Sequence, residues 1–373
     1  MSITNSEQWI SDLIKPAGIT IGGKNSFDIR ILNQDLYKRI QLQGTLGLGE
    51  AYMDGWWECD KLDEFFYKLL SAHIDEKVGL SLPLMLNLIF AKIFNMQSLG
   101  RAYEVGKKHY DIGNDLFTLM LGKSMAYSCG YFKETEDLDS AQFAKFDLIC
   151  KKLNLKSGQS LLDIGCGWGS FAKFAAENYG AEVTGITISK EQAEFMQNSC
   201  KNLPVKVYLE DYRNLNQKFD CIASIGMIEH VGVKNYPIFM QTAKKCLKKD
   251  GIFLLHTIGG LKSENMTDPW INKYIFPNGM IPSMKQLSNS IEGNFVLEDL
   301  HNFGVYYDKT LMKWYNNFEN NWPTLKNNYD ERFRRMWRYY LLSCAGAFRA
   351  RSLQLWQLVL SSEGVKNGYT SIR

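Results

Sequence analysis

The chain is poor in the features that would set it apart from ordinary globular proteins. Its eight cysteines, at positions 59, 129, 150, 166, 200, 221, 246 and 344, include no CxxC pair, so neither a zinc ribbon nor a dithiol redox motif is present. Histidine is scarce, with five in 373 residues, and no Cys/His/Asp cluster has ligand spacing, so no metal site is expected. Lys and Arg number 43 against 40 Asp and Glu, a net charge of +3, too small an excess to mark a nucleic-acid binder. No run of about 18 apolar residues is present, which argues against a spanning helix. The nearest candidate, Leu80–Phe94, is interrupted by Pro83, Asn87 and Lys92. Met1–Gly23 has no basic stretch leading into an apolar core. A secretory leader is therefore not expected, and the thiols are expected to stay reduced in the cytoplasm.

Hydrophobic residues make up 45% and charged residues 22%, the balance of a soluble globular chain. The length suggests one large domain plus a smaller one. To about His73 the sequence mixes a short alternation, Phe27–Leu32, glycine-rich turns at Gly44, Gly47 and Gly49, and a helical stretch, Lys61–Leu70. This looks like an accessory domain, with Leu80–Phe94 as a linker helix packed between domains or lying on a membrane surface.

From Ser160 the pattern becomes a strand–helix alternation, the signature of a parallel sheet covered on both faces. Strands are predicted at Ser160–Ile164, Glu182–Ile186, Val205–Leu209, Phe219–Ile225 and Ile252–Thr257, with helices at Ser170–Asn178, Ser189–Asn202 and Tyr236–Leu247. Further on, Asp308–Asn321 and Asp330–Ala350 read as helices separated by Pro323. Phe295–Asn302 and Leu353–Leu360 are predicted as edge strands.

The run Leu161-Leu-Asp-Ile-Gly165-Cys-Gly167-Trp-Gly169 sits where the first strand turns into a helix. Glycines there let a backbone approach a ligand and let the helix pack on the strand. A dinucleotide site would place an acid at the end of the second strand, but that strand ends Gly185-Ile-Thr187-Ile-Ser189. The GxGxG spacing instead resembles the S-adenosylmethionine (AdoMet) loop of class I methyltransferases, with Asp211 placed like the residue that meets adenine. Ligands bind outside the carboxyl ends of such strands, where Thr187, Asp211–Tyr212, Glu229–His230 and His256 also fall. Glu and His at that edge are acid/base candidates. The plainer alternative is that Glu229 caps the next helix and His256 is a satisfied core imidazole.

Several motifs together resemble the cyclopropane-fatty-acyl-phospholipid synthase family. They are Gly47-Leu-Gly-Glu-Ala-Tyr-Met-Asp-Gly-Trp-Trp57, His109-Tyr-Asp-Ile-Gly-Asn-Asp-Leu-Phe117, Tyr127-Ser-Cys129-Gly-Tyr-Phe132, the glycine loop, Gly185–Gln192, Gly226-Met-Ile-Glu229-His230-Val-Gly232, Leu255–Gly259, Phe276–Gly279 and Cys344–Arg349. The match spans almost the whole chain and looks like the two-domain bacterial form, since mycolic-acid cyclopropane synthases resemble only the catalytic part. The resemblance implies an α/β class I methyltransferase fold, a Rossmann-like, mostly parallel sheet with helices on both faces. It implies an accessory domain over 1–75, a linker helix over 76–100 and an AdoMet-dependent catalytic domain over 101–373.

It also implies the chemistry. AdoMet would give its methyl to a cis double bond of a phospholipid acyl chain, and bound bicarbonate would take the proton lost as the cyclopropane closes. The AdoMet residues carried over are Tyr127, Ser128, Gly165, Gly167, Gly169, Thr187, Gln192, Tyr212 and Arg213. Bicarbonate would be held at Cys129, Glu229, His256, Ile258 and Tyr307. Cys344 is a candidate nucleophile, although this route needs no covalent intermediate and a Cys among Leu341, Leu342 and Ala345 is usually core. The substrate implies peripheral contact with the inner membrane from the cytoplasm, by a homodimer. The basic run Arg332, Arg334, Arg335, Arg338, Arg349 and Arg351 reads either as a helix face paired with acids or as attraction to anionic headgroups, worth about 1 kcal/mol per cation.

Overall fold

Two short strands, β1 (Arg30–Ile31) and β2 (Trp57–Glu58), pair antiparallel, and seven further strands form one sheet. These are β3 (Ser160–Ile164), β4 (Glu182–Thr187), β5 (Val205–Leu209), β6 (Phe219–Ile225), β7 (Leu247–Gly260), β8 (Val296–Asn302) and β9 (Leu353–Ser361). The structure, a computed structural model, describes residues 3–74 and 113–373. The expected linker helix over 76–100, with Leu80–Phe94, and the first part of the His109–Phe117 motif lie outside them.

The sheet order is β5-β4-β3-β6-β7-β9-β8. Pairing is parallel from β5 through β7 and antiparallel between β8 and β9. Successive residues of a strand face opposite sides, and β3 shows it. Leu162 and Ile164 join one buried cluster with Ile222, Phe253 and Leu255, while Leu161 joins the other with Cys221, Ala223 and Leu254. The class I methyltransferase architecture expected from the sequence is present. The crossover helices Ser170–Tyr179, Lys190–Ser199 and Tyr236–Cys246 stand where the periodicity puts them. Ser189 starts the second by accepting from the Gln192 N–H.

Three local expectations need correction. β9 is not an edge strand: it lies between β7 and β8, with every residue from Leu355 to Ser361 buried. Its near-continuous apolar run is that of a strand covered on both faces. Pro323 does not separate the two late helices, because the Val305–Leu325 helix carries it in its last turn, where the missing N–H costs one hydrogen bond. Gly47 and Gly49 are not turn residues. Both lie in the Thr45–Met53 helix, at close approaches: a Cβ on Gly47 would sit 2.5 Å from Arg39 O, and one on Gly49 2.4 Å from the Trp270 indole.

The domain division expected from the sequence follows chain order, and the compact units do not. Among the described residues one unit comprises 3–74, Met266–Pro277 and Tyr307–Leu353; the other comprises 113–265, Asn278–Tyr306 and Gln354–Arg373. The first unit is held together by approaches such as that of Gly346, where a Cβ would lie 2.7 Å from Asp63 O. Segments more than 200 residues apart thus share one core, which local periodicity does not reveal. The sheet belongs to the second unit.

Candidate active site

After β3 the chain turns through Gly165, Gly167 and Gly169, with φ of 80°, 54° and 84°, the left-handed region that favours glycine. The three are not equivalent. A Cβ on Gly165 would lie 2.6 Å from Met227 Cγ and one on Gly169 2.4 Å from Met196 Cγ, whereas one on Gly167 would meet no atom of the described residues within 4 Å. Two glycines therefore serve packing and the middle one keeps space open. The loop is anchored by the N–H groups of Gly165 and Cys166, both donating to Ile186 O at 3.0 Å.

At the end of β4 the Thr187 hydroxyl donates to Gln192 Oε1 at 2.8 Å, which fixes the amide and leaves its NH2 as a donor. After β5, Asp211 is engaged by Arg213 through two 2.7 Å bonds, Nε to Oδ1 and one terminal N–H to Oδ2. The residue expected to meet adenine thus has both oxygens in a bidentate pair. The Tyr212 ring is buried and meets Phe239 edge-on, centroids 5.3 Å apart.

The Tyr127–Cys129 segment is held from the Leu138–Lys152 helix. Gln142 donates to Ser128 O at 2.7 Å, and the Lys145 ammonium donates to the Ser128 hydroxyl at 2.6 Å and to Gln142 Oε1 at 2.7 Å. Lys145 is wholly buried and electrostatically coupled to Asp163 and Cys129. Burial pushes Lys145 down to about 7 and Asp163 up to about 7, each opposed by the other's charge.

Glu229 sits on the single helical turn Ile228–His230 beyond β6, and His256 lies on β7 opposite Ile225, the last residue of β6. Glu229 caps no helix. Its Oε1 accepts the Ile258 N–H at 2.8 Å, while Oε2 is buried and has no partner among the described residues. Burial lifts its carboxyl to about 7, against the pull of the Ile258 N–H. His256 is only half satisfied. Nδ1 lies 3.2 Å from the Gln357 side-chain nitrogen, and Nε2 has no partner among the described residues. Burial, and then the charges of Lys145 and Lys152, hold the imidazole well below the usual range and hence neutral. A carboxyl poised near neutrality and a neutral imidazole, each with one polar atom unmatched among the described residues, thus stand two residues apart along β7, since Glu229 is bonded to Ile258. Among the described residues no group of three or more His, Cys, Asp and Glu could hold a metal ion.

The family model for mycolic acid cyclopropane synthetase matches residues 97–358. The chain belongs to that family. It is 54% identical to the cyclopropane-fatty-acyl-phospholipid synthase of Escherichia coli (strain K12), over 96% of this chain and 94% of that one. A probable fatty acid methyltransferase of Pseudomonas putida is 39% identical over 67% of each. Among solved structures, the cyclopropane synthase MmaA2 from Mycobacterium tuberculosis aligns with a TM-score of 0.66 at 33% identity, covering 69% of this chain and 97% of that one. A second, mycolic acid cyclopropane synthase CmaA1 complexed with SAH and CTAB, aligns with a TM-score of 0.65 at 33% identity, covering 69% and 97%. The chain is an AdoMet-dependent methyltransferase.

In this cyclopropane synthetase family member the remaining expected site residues, Tyr307 and Cys344, belong to the other compact unit. Tyr307 stacks on Phe348, centroids 4.4 Å apart at 26°. Burial pushes the Cys344 thiol up to about 12, which leaves almost no thiolate, the nucleophilic form, at neutral pH. Four of the six arginines of the basic run are paired with acids, Arg338 comes only within 3.7 Å of Glu319, and Arg351 is exposed. Arg332 meets Asp54 at 3.0 Å, Arg334 meets Glu319 at 2.6 Å and Arg335 meets Glu58 at 2.7 Å. Arg349 reaches Asp63, Glu64 and Asp308 within 2.9 Å.

Sequence reasoning missed Lys145, Gln142 and Gln357. A signal for Lys145 was available: Ala141, Lys145, Ile149 and Lys152 recur at helical spacing along one buried stripe, where a lysine is out of place. Gln357 likewise interrupts the apolar Leu355–Leu360 run.

Proposed function

We propose that the enzyme transfers a methylene from AdoMet to the cis double bond of an unsaturated phospholipid acyl chain, forming a cyclopropane ring, with bicarbonate as the bound base. The observation that carries this reading is the pair of buried, unmatched atoms Glu229 Oε2 and His256 Nε2. A buried polar group without a partner costs about 1–3 kcal/mol, so a small ligand that both donates and accepts would recover that cost. Bicarbonate fits: its hydroxyl would donate to Glu229 Oε2 and an oxygen would accept from His256 Nε2. An anion beside a carboxyl is tolerable only when they share a proton, and a carboxyl near 7 allows it. Cys129, Ile258 and Tyr307 would complete its contacts, as the family resemblance implies.

AdoMet would be held at Tyr127, Ser128, Gly165, Gly167, Gly169, Thr187, Gln192, Tyr212 and Arg213. Once bound, it supplies an electrophilic methyl, and bicarbonate supplies the base for the proton released on ring closure. The chain's own contribution is orientation and dryness. Lys145 and Gln142 fix the Ser128 segment, the Gln192 NH2 offers a neutral hydrogen bond where a dinucleotide enzyme has an acid, and aromatic faces such as that of Tyr307 stabilise positive charge developing on the acyl chain. Cys344 stays outside the chemistry.

The acyl double bond lies within a bilayer, and no helix among the described residues is long and apolar enough to cross a membrane. We therefore assign peripheral contact with the inner membrane from the cytoplasm, by a homodimer whose two copies reinforce weak attachment.

The test measures AdoMet consumption with vesicles of cis-unsaturated or saturated phospholipid, in carbon dioxide-depleted buffer with and without bicarbonate. Turnover should require the double bond and rise with bicarbonate. Consumption independent of vesicles would indicate a small-molecule methyltransferase, and AdoMet binding without turnover a lipid-carrying protein. A second reading, methylation without ring closure, is favoured by the relative named as a probable fatty acid methyltransferase. Losing its proton from a neighbouring chain carbon, that route would leave a methyl-branched alkene of the same mass as the ring, so proton NMR of the lipid, ring against vinyl signals, separates the two.

A further inference from the structure

We infer that Gln357 is a positioning residue that sets the tautomer of His256, keeping the ring proton on Nε2 and Nδ1 bare. Gln357 is fully buried on β9, the strand beside β7, in a run otherwise made of Leu355, Trp356, Leu358, Val359 and Leu360. An amide in such surroundings costs free energy unless its polar atoms are matched. Its nitrogen lies 3.2 Å from His256 Nδ1.

An amide nitrogen only donates, so Nδ1 must accept. The imidazole is also held neutral, being 1% exposed and within reach of the Lys145 and Lys152 charges. A neutral imidazole has one proton, and with Nδ1 accepting it resides on Nε2. The reverse amide orientation would turn Oε1 toward an Nδ1–H and leave both amide protons buried without a match. Among the described residues the orientation present leaves Oε1 and one amide N–H unmatched, one buried N–H instead of two, and buried unmatched N–H groups are rarer than unmatched oxygens. The amide therefore leaves Nε2–H as the imidazole's free donor. Gln357 itself touches no reacting atom and acts through His256. That Nε2–H then serves an anion rests on the reading proposed above; the tautomer does not.

Nitrogen-15 NMR of histidine-labelled protein distinguishes a protonated ring nitrogen from a bare one. His256 is identified among the five histidines by the signal missing from His256→Asn. Wild type should show Nε2 protonated and Nδ1 bare. In Gln357→Glu, a carboxylate facing Nδ1 should move the proton to Nδ1. In Gln357→Met, loss of the donor should leave the two tautomers in exchange. S-adenosylhomocysteine affinity by calorimetry reports whether each variant has folded. A wild-type spectrum with the proton on Nδ1 overturns the inference even if neither variant folds, and so does a folded Gln357→Met variant with the wild-type spectrum. Sodium bicarbonate should then shift the Nε2 signal in wild type and not in Gln357→Glu. If the tautomer responds as expected but bicarbonate moves nothing, the anion reading fails and the role of Gln357 stands.

Discussion

Ile258 donates its backbone N–H to Glu229 Oε1 at 2.8 Å, and that bond divides the carboxyl into one engaged oxygen and one buried without a partner among the described residues. Glu229→Gln keeps the size of the group and the Oε1 contact but turns the second oxygen into an NH2. The glycine loop is untouched. Calorimetry should therefore find AdoMet affinity unchanged, while turnover falls by about 100-fold or more, the usual contribution of a positioned acid/base group. Wild-type turnover in this variant would remove Glu229 from the mechanism.

The same substitution should change how stability depends on pH. Burial raises the Glu229 pKa from 4.5 to about 7. A group raised in the folded state contributes fully below its unfolded pKa and loses that contribution as pH rises through the folded one. Between pH 5 and pH 8, denaturant unfolding should show wild type losing about 3 kcal/mol relative to Glu229→Gln. Asp163, also raised to about 7 by burial, is present in both proteins and cancels in the difference. A pH-independent difference would mean that the Glu229 carboxyl titrates normally.

The glycine loop is legible in the sequence because everything that defines it is local: an apolar strand, three glycines two residues apart and the start of a helix. Glu229 and His256 are legible by position, since the strand pattern brings them to one edge. Lys145 stands out as a lysine on an apolar stripe, but its role is not legible, because Ser128 lies 17 residues away outside its helix. Gln357 and His256 are 101 residues apart, and no periodicity relates them. The arginines mislead for the same reason. Arg335 lies next to other cations in sequence, whereas its acid, Glu58, is 277 residues away.

Lys145→Met tests whether the buried ammonium orders the donor-binding segment. The substitution leaves the Ser128 hydroxyl, Gln142 Oε1 and Asp163 without their cation. Breaking one side of a buried pair costs about 3–5 kcal/mol, so the melting temperature should fall. Lys145→Met combined with Asp163→Asn should recover much of that stability and none of the AdoMet affinity, which we expect to drop about tenfold, or about 1.4 kcal/mol. Recovery of both together would make Lys145 a purely structural residue.

Gly167→Ala and Gly169→Ala should separate binding from folding. A Cβ on Gly167 meets no atom of the described residues within 4 Å, which leaves backbone strain at φ 54°, about 1–2 kcal/mol. That variant should melt close to wild type yet lose AdoMet affinity, because its methyl enters the space kept for the ligand. Gly169→Ala pushes into Met196 at 2.4 Å and should lose stability as well. Undiminished AdoMet affinity in a folded Gly167→Ala would move the ligand away from this loop.

The paired arginines give the last contrast. Arg335 donates through Nε to Tyr52 O, bonds Glu58 at 2.7 Å and Trp57 O at 3.2 Å, and lies over the Tyr52 ring at 4.2 Å. Its side chain is 14% exposed, so Arg335→Gln should cost about 2–3 kcal/mol, the range for hydrogen bonds to a charged group. Arg334 pairs with Glu319 at 27% exposure, where an ion pair is worth less than about 1 kcal/mol, so Arg334→Gln should barely move the melting temperature. Neither substitution should weaken sedimentation with anionic vesicles at temperatures where both variants are folded, since neither cation is free to meet a headgroup. If vesicle binding fell in Arg334→Gln while its melting temperature held, the run would be a lipid-facing surface after all.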